Sequence, residues 1–387
     1  MAEQTMVQAG SSPALRWGRW LIGGAIYLAL LIIGLGFGGE LGVFVGASLN
    51  VIPFVGLAIL AYFAGQRFNW VWIVCGIWLV ILVGGVAVNA FGTSTLAILG
   101  TLPRDANPSD PEIAAKLATA NIPGLLLGLI GAIGIGSLTL VPPLRRGLAR
   151  VMPLDPALFT HTVALMAIVT ITLIMLVPLI ILGEPPVLAL IRQGGEGISS
   201  LSDASQLRTQ IYGLVWIIPA ALFAVGFGIR RNLAATLTRL GVVRPTLPHL
   251  AIGAGIGLVM ALVVHFALPL QVSLWQALGW PTTDQEAFAK LMAFALSPIG
   301  AIVIGITAGV GEELAVRGVL QPRMGLWLSN LFFTSLHAFQ YHWDALLVVF
   351  VVGLICGVVR NRFNTTTAAL VHGVYNCVLI LLAVALA

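Results

Sequence analysis

Apolar stretches of about twenty residues, parted by short polar or basic segments, run from Trp20 to the end of the chain. A bilayer-spanning helix needs about twenty mostly apolar residues. On that template, spans fall near 20–37, 41–64, 70–100, 122–143, 158–183, 211–229, 250–270, 298–320, 326–342, 345–359 and 366–386, about eleven in all. The pattern predicts an all-α, polytopic helical membrane protein. The stretch 70–100 is long, with an expected break near Asn89–Gly92. The short pair between 326 and 359 allows shifted ends or a re-entrant segment. Asn50 with Pro53 predicts a kinked, cavity-lining turn, since irregular backbone at membrane depth needs protein or water beside it.

Composition supports this pattern: 59% of residues are hydrophobic and 9% charged, with a mean hydropathy of +1.03, far outside the range of soluble domains. The apolar run after Arg19 is longer than a signal-peptide core, so it reads as an uncleaved first span behind a cytoplasmic tail, residues 1–19. The net charge of +5 comes from arginines scattered between spans, which argues against nucleic-acid binding. With the N-terminus inside, thirteen basic residues fall in cytoplasmic loops and five outside, Arg317 alone lying within a span. This obeys the positive-inside rule and leaves the C-terminus outside. The outer loops near 101–121 and 184–210 are polar, with a short surface helix expected at Asp110–Ala120. Arginine outnumbers lysine 17 to 2, a bias of GC-rich genomes that points to a bacterial cytoplasmic membrane.

The stretch Arg230–Pro248, basic and closed by prolines, divides the chain into an N-terminal bundle, 20–244, of no assigned role, and a C-terminal unit, 245–387. Gly124-x-x-x-Gly128, Gly253-x-x-x-Gly257, Gly305-x-x-x-Gly309 and Gly353-x-x-x-Gly357 suit close helix packing. Cys75, Cys356 and Cys377 lie in spans, in no metal-knuckle spacing, and read as buried small hydrophobes. His161 and His265 read as membrane histidines bonded to neighbours, and His342 as interfacial.

One group of residues resists a packing explanation. A charge at the centre of a spanning helix costs about 2.5–3.5 kcal/mol on insertion scales, yet Glu312, Glu313 and Arg317 share the span 298–320. Glu313 and Arg317 are i and i+4 and can pair on one face, while Glu312 is turned about 100° away on an α-helix. His337, His372 and Asn376 follow in later spans. At about 1.5 Å per residue, Glu312 lies roughly 16 Å from the cytoplasmic Arg323, with His337 at a similar depth. His372 lies about 9 Å and Asn376 about 15 Å inside the end of the last span. The four fall in one layer, as a site requires. A polar network that merely holds helices together is the competing reading.

Glu312-Glu313-x-x-x-Arg317, Phe333-x-x-x-His337 and His372-x-x-x-Asn376, in that order, resemble the CAAX-protease and bacteriocin-processing (CPBP) family, type 2 CAAX prenyl endopeptidase-like. The resemblance covers roughly residues 245–387. It implies an intramembrane endopeptidase that acts on a membrane-embedded or lipidated peptide. Glu312 would then be the base, with His337 positioning the water, His372 and Asn376 stabilising the oxyanion, and Glu313 and Arg317 orienting Glu312. The chemistry agrees: a carboxylate and an imidazole can deprotonate water, and amide and imidazole N–H groups can donate to an oxyanion. The family has been described as metalloproteases, so the metal is open; a metal-free glutamate mechanism is favoured, with zinc as the alternative, because His-Glu-x-x-His is absent. The rival class is a non-enzymatic immunity or scaffold protein, or a transporter, using the same cluster for binding.

The basic-residue asymmetry makes an immediate prediction. A reporter fused after Ala387 should be active only outside the cytoplasm, and cytoplasmic activity would overturn both span count and orientation.

Overall fold

The computed structural model describes residues 13–64, 70–100, 121–193 and 202–386, together with Pro111; the helix expected at Asp110–Ala120 otherwise lies outside the described residues. Among the described residues there are sixteen α-helices. They are α1 (Pro13–Phe37), α2 (Gly39–Ala47), α3 (Ile52–Ala64), α4 (Val71–Leu99), α5 (Ile122–Ser137), α6 (Pro142–Leu148), α7 (Phe159–Leu182) and α8 (Pro186–Arg192). There follow α9 (Asp203–Ala224), α10 (Leu233–Leu240), α11 (Leu247–Ala277), α12 (Gln285–Met292), α13 (Pro298–Ile306), α14 (Gln321–Ser335), α15 (Trp343–Arg362) and α16 (Thr365–Leu386). Among the described residues no strand forms beyond an isolated bridge between Phe227 and Arg231.

Among the described residues nine helical stretches are long and apolar enough to cross a membrane, and the pair Gly39–Asn50 and Ile52–Ala64, bent by 46°, makes a tenth if it is one span. One of the nine, Pro298–Ser335, is broken at Gly325, whose φ of 72° and ψ of 172° lie outside the helical region. The chain doubles back there. Arg317 bonds Asn330 at 3.3 Å, although thirteen residues of straight helix would span about 20 Å. This stretch therefore supplies two of the expected spans.

Several local expectations are corrected. Helix α4 is continuous through Asn89–Gly92. It has glycine but no proline at that point, and the Ser94 hydroxyl donates back to the Ala90 carbonyl within the helix. Helix α9 starts well before residue 211, because Ser202 caps it through Ser205 N–H, and it ends at Ala224, before glycines 226 and 228 with positive φ. Asn50 sits at the expected kink but is exposed rather than cavity-lining.

Helix α7 is the most buried of the spans. Its Val163, Ala167, Ile171 and Ile174 pack with Leu79, Leu82, Leu125 and Leu129 of α4 and α5. By contrast α1 leaves Leu21, Ile26 and Ile32 exposed, as suits a helix whose solvent is lipid.

The C-terminal unit is a tighter bundle because glycines replace side chains where helices cross. A Cβ at Gly305 would lie 2.8 Å from the Gly373 carbonyl oxygen, and one at Gly309 2.6 Å from that of Ala369. Gly253 and Gly257 meet Leu370 and Val371 of α16 in the same way. Helix α16 is thus clasped between α11 and the α13 stretch, which carries Glu312 and Glu313.

The contact at Gly309 is testable. Gly309→Ala puts a methyl group against backbone that cannot yield, so it should cost about 1–3 kcal/mol, the usual penalty of overpacking. Gly255→Ala, with nothing within 4 Å of its added Cβ, should be near neutral. Equal melting temperatures for the two purified variants would show that the glycine crossing is not needed.

Candidate active site

Beyond Ile306 the α13 stretch widens into π-helix over Thr307–Glu312 and Leu314–Leu320. An i→i+5 helix carries more residues per turn than an α-helix, so successive side chains diverge by less than about 100°. This is how two adjacent glutamates come to face the same histidine. His372 Nδ1 lies 3.0 Å from Glu313 Oε1, and His372 Nε2 lies 3.9 Å from Glu312 Oε2. An ionised carboxylate only accepts hydrogen bonds, so Nδ1 carries the proton that Glu313 receives.

Glu313 is wholly buried, and so is its partner Arg317, whose Nε lies 3.3 Å from Glu313 Oε2. Arg317 in turn donates to the Gly353 carbonyl at 2.5 Å and to Asn330 Oδ1 at 3.3 Å, and its guanidinium stands over the Phe333 ring at 4.7 Å. Asn330 passes the link on to the Phe350 carbonyl. Gly353 is glycine for a visible reason: a Cβ there would come within 2.9 Å of Arg317 Nη2. The ion pair therefore ties the π-helix to α14, α15 and α16.

Glu312 differs. Its side chain is 37% accessible, and its approach to His372 is its one polar contact among the described residues. His337 donates from Nδ1 to the Phe333 carbonyl at 3.0 Å, which leaves Nε2 as an acceptor edge, and its ring stacks on Tyr341 with centroids 6.0 Å apart. Phe333 meets both histidine rings edge-on, His337 at 4.9 Å and His372 at 6.0 Å. The two imidazoles therefore flank one phenyl ring. Asn376 lies one turn beyond His372 on α16, partly exposed, with no hydrogen bond among the described residues.

Among the histidine, cysteine and acidic side chains of the described residues, the ligand atoms that lie within 4.8 Å of one another belong to Glu313, Cys356 and His372. An apolar cavity nearby is not lined by the expected site residues. That cavity, of about 410 Å³, opens between α11, α13 and α16 beside Ile302, Val310, Leu370 and Gly373.

Two polar networks escaped the sequence reading. Arg239 of α10 donates to the carbonyls of Gly318 and Val319 at 3.0 and 3.2 Å, and Arg360 Nε donates to that of Arg317 at 3.2 Å. Together they cap the end of the π-helix. Burial, then the neighbouring Arg323, push Arg239 down to about 10, which leaves it charged at neutral pH. The second network corrects the interfacial assignment of His342. This residue is 3% exposed; its N–H donates to Thr283 Oγ1 and its Nε2 to the Gly183 carbonyl, both at 3.0 Å. Thr283 also donates to the buried Asp344 through its N–H and hydroxyl.

Residues 294–378 match the family model described as Type II CAAX prenyl endopeptidase Rce1-like. No curated protein and no solved structure matches the chain. The matched segment holds all of the site's residues, from Glu312 to Asn376.

The buried ion pair gives a stability prediction. Arg317→Ala strands Glu313 as an unpaired buried charge and should cost about 3–5 kcal/mol, seen as a lower melting temperature and a smaller folded yield. Adding Glu313→Gln removes the stranded charge and should restore part of the loss, a coupling that a double-mutant cycle measures. An Arg317→Ala protein as stable as wild type would contradict the pairing.

Proposed function

We propose that this chain, whose residues 294–378 match the Type II CAAX prenyl endopeptidase Rce1-like model, is a member of the CAAX-protease and bacteriocin-processing family and hydrolyses a peptide bond of a membrane-associated or lipidated peptide. The observation that carries this reading is the asymmetry of the two glutamates. Glu313 is consumed by Arg317 and His372, whereas Glu312 is partly open and holds no hydrogen bond, so it can take a water.

In this reading Glu312 accepts a proton from the water, and the resulting hydroxide attacks the carbonyl carbon. His337 Nε2, the acceptor edge left free by the bond to Phe333, orients the water. The tetrahedral oxyanion is met by the Asn376 amide and, when the imidazole carries both protons, by His372 Nε2–H. Collapse breaks the C–N bond, and Glu312 returns its proton to the leaving amine. Glu313 and Arg317 act through position: the Nδ1 bond from His372 to Glu313 aims Nε2 at the reacting centre. The sequence of steps needs no metal, and Glu312 is the residue it cannot lose. The same reading places the N-terminus in the cytoplasm of a bacterial cell, with the C-terminus outside and the site entered from within the cytoplasmic half of the membrane.

Rates separate these roles. Glu312→Gln keeps the shape but cannot accept a proton, and cleavage by the purified protein should fall by roughly 10²–10⁴-fold. Asn376→Ala should cost about 10²–10³-fold in kcat with little change in KM. A Glu312→Gln protein that folds and cleaves a membrane-embedded peptide at the wild-type rate would sink the mechanism.

A further inference from the structure

The cluster of Glu313, Cys356 and His372 lies behind the proposed water site. Cys356 is wholly buried on α15, packed in the apolar layer with Val352, Val371 and Tyr375, and the proposed hydrolysis does not use it. Yet a carboxylate oxygen, a thiol sulfur and an imidazole nitrogen come within 4.8 Å of one another there. Glu313 Oε2 is ion-paired with Arg317 Nε at 3.3 Å but accepts no hydrogen bond, so it keeps a lone pair that a cation can take.

We propose that these three residues form an inhibitory site for a borderline-soft divalent cation such as zinc. The inference shares His372 and Glu313 with the protease reading. The donor set suits the ion: tetrahedral zinc takes thiolate at about 2.3 Å and imidazole or carboxylate at about 2.0–2.2 Å, which rotation of side chains already this close can reach. Hard cations such as magnesium, which favour oxygen ligands, are poorly served by it. Charge also balances. Binding releases the Cys356 thiol proton; the thiolate and the two glutamates then carry three negative charges, which one divalent ion and Arg317 neutralise in a medium where net charge is costly. The ion takes His372 Nδ1 as a ligand, so the ring loses its bond to Glu313 and with it the aim of Nε2 beside Glu312. Metal occupancy and peptide hydrolysis are then mutually exclusive.

The chain has three cysteines, so Cys75→Ala with Cys377→Ala leaves Cys356 as the sole thiol. That protein should bind one cobalt(II) ion with a thiolate-to-metal charge-transfer band in the near ultraviolet, and zinc should displace the cobalt and suppress cleavage. Adding Cys356→Ala should abolish the band and weaken zinc binding at least about 10–100-fold, the loss seen even for residues that only support a ligand. Cleavage without zinc should persist. Cys356→Ser, nearly isosteric, provides the same test should the alanine variant melt. Absence of the band while Cys356 is present, or zinc inhibition unchanged by Cys356→Ala, overturns the proposal. A cobalt band in a protein that cleaves nothing supports the metal site and removes the protease reading instead.

Discussion

A carboxylate with no access to water must be neutralised by its neighbours, and in this chain the burial of Glu313 sets the positions of four helices. The side chain cannot stay charged at that depth without Arg317, and Arg317 cannot be buried without the Gly353 carbonyl and Asn330. Desolvating such a pair costs more than a surface ion pair returns. The arrangement therefore adds specificity of geometry, since the ion pair keeps its bonds to Gly353, Asn330 and His372 only when the π-helix, α14, α15 and α16 hold this mutual placement. His372 is oriented by that same carboxylate, so the ring edge that approaches Glu312 takes its position from the buried pair.

The π-helical winding is the second element of this arrangement. In an α-helix Glu312 and Glu313 would diverge more widely, and one imidazole could not stand near both. Wider turns expose more backbone at the end of the segment, and the carbonyls of residues 317–319 are met there by the side chains of Arg239 and Arg360. The local strain of an uncommon helix is thus offset by charged donors from two other elements. Small residues do the rest: Gly305 and Gly309 let α16 approach until backbone meets backbone, which is closer than any side chain would permit.

Much of this was legible in the sequence, for reasons that can be named. Hydrophobic runs mark spans because lipid imposes a length on each of them, and the pairing of Glu313 with Arg317 followed from their i, i+4 spacing. The glycine repeats announced close crossings, though not which backbone each would meet. What stayed hidden depended on partners distant in sequence or on a change of helical period. His342 looked interfacial because its partners, the Gly183 carbonyl and Thr283, lie about 159 and 59 residues away. Nothing in the composition of Thr307–Leu320 separates π-helix from α-helix, so the shared focus of both glutamates on His372 could not be read in advance. The break expected at Asn89–Gly92 failed because glycine only loosens a helix, whereas proline at that point would have removed a hydrogen bond.

The contact of Arg239 with Gly318 and Val319 bears on how such a chain can be divided. Judged by motif content, residues 245–387 form a module of their own, and everything before them reads as an accessory. Arg239 lies on the other side of that line, as do Leu240 and Gly241, whose carbonyls accept from the Thr365 hydroxyl and N–H at the start of α16. Excision at residue 245 would sever the donors of two backbone carbonyls beside the site and the acceptors that anchor its last helix. The recognisable motif is therefore smaller than the unit that must fold around it. In evolutionary terms, the N-terminal helices could not be exchanged or lost freely, because the segment that matches the family model borrows part of its own hydrogen bonding from them.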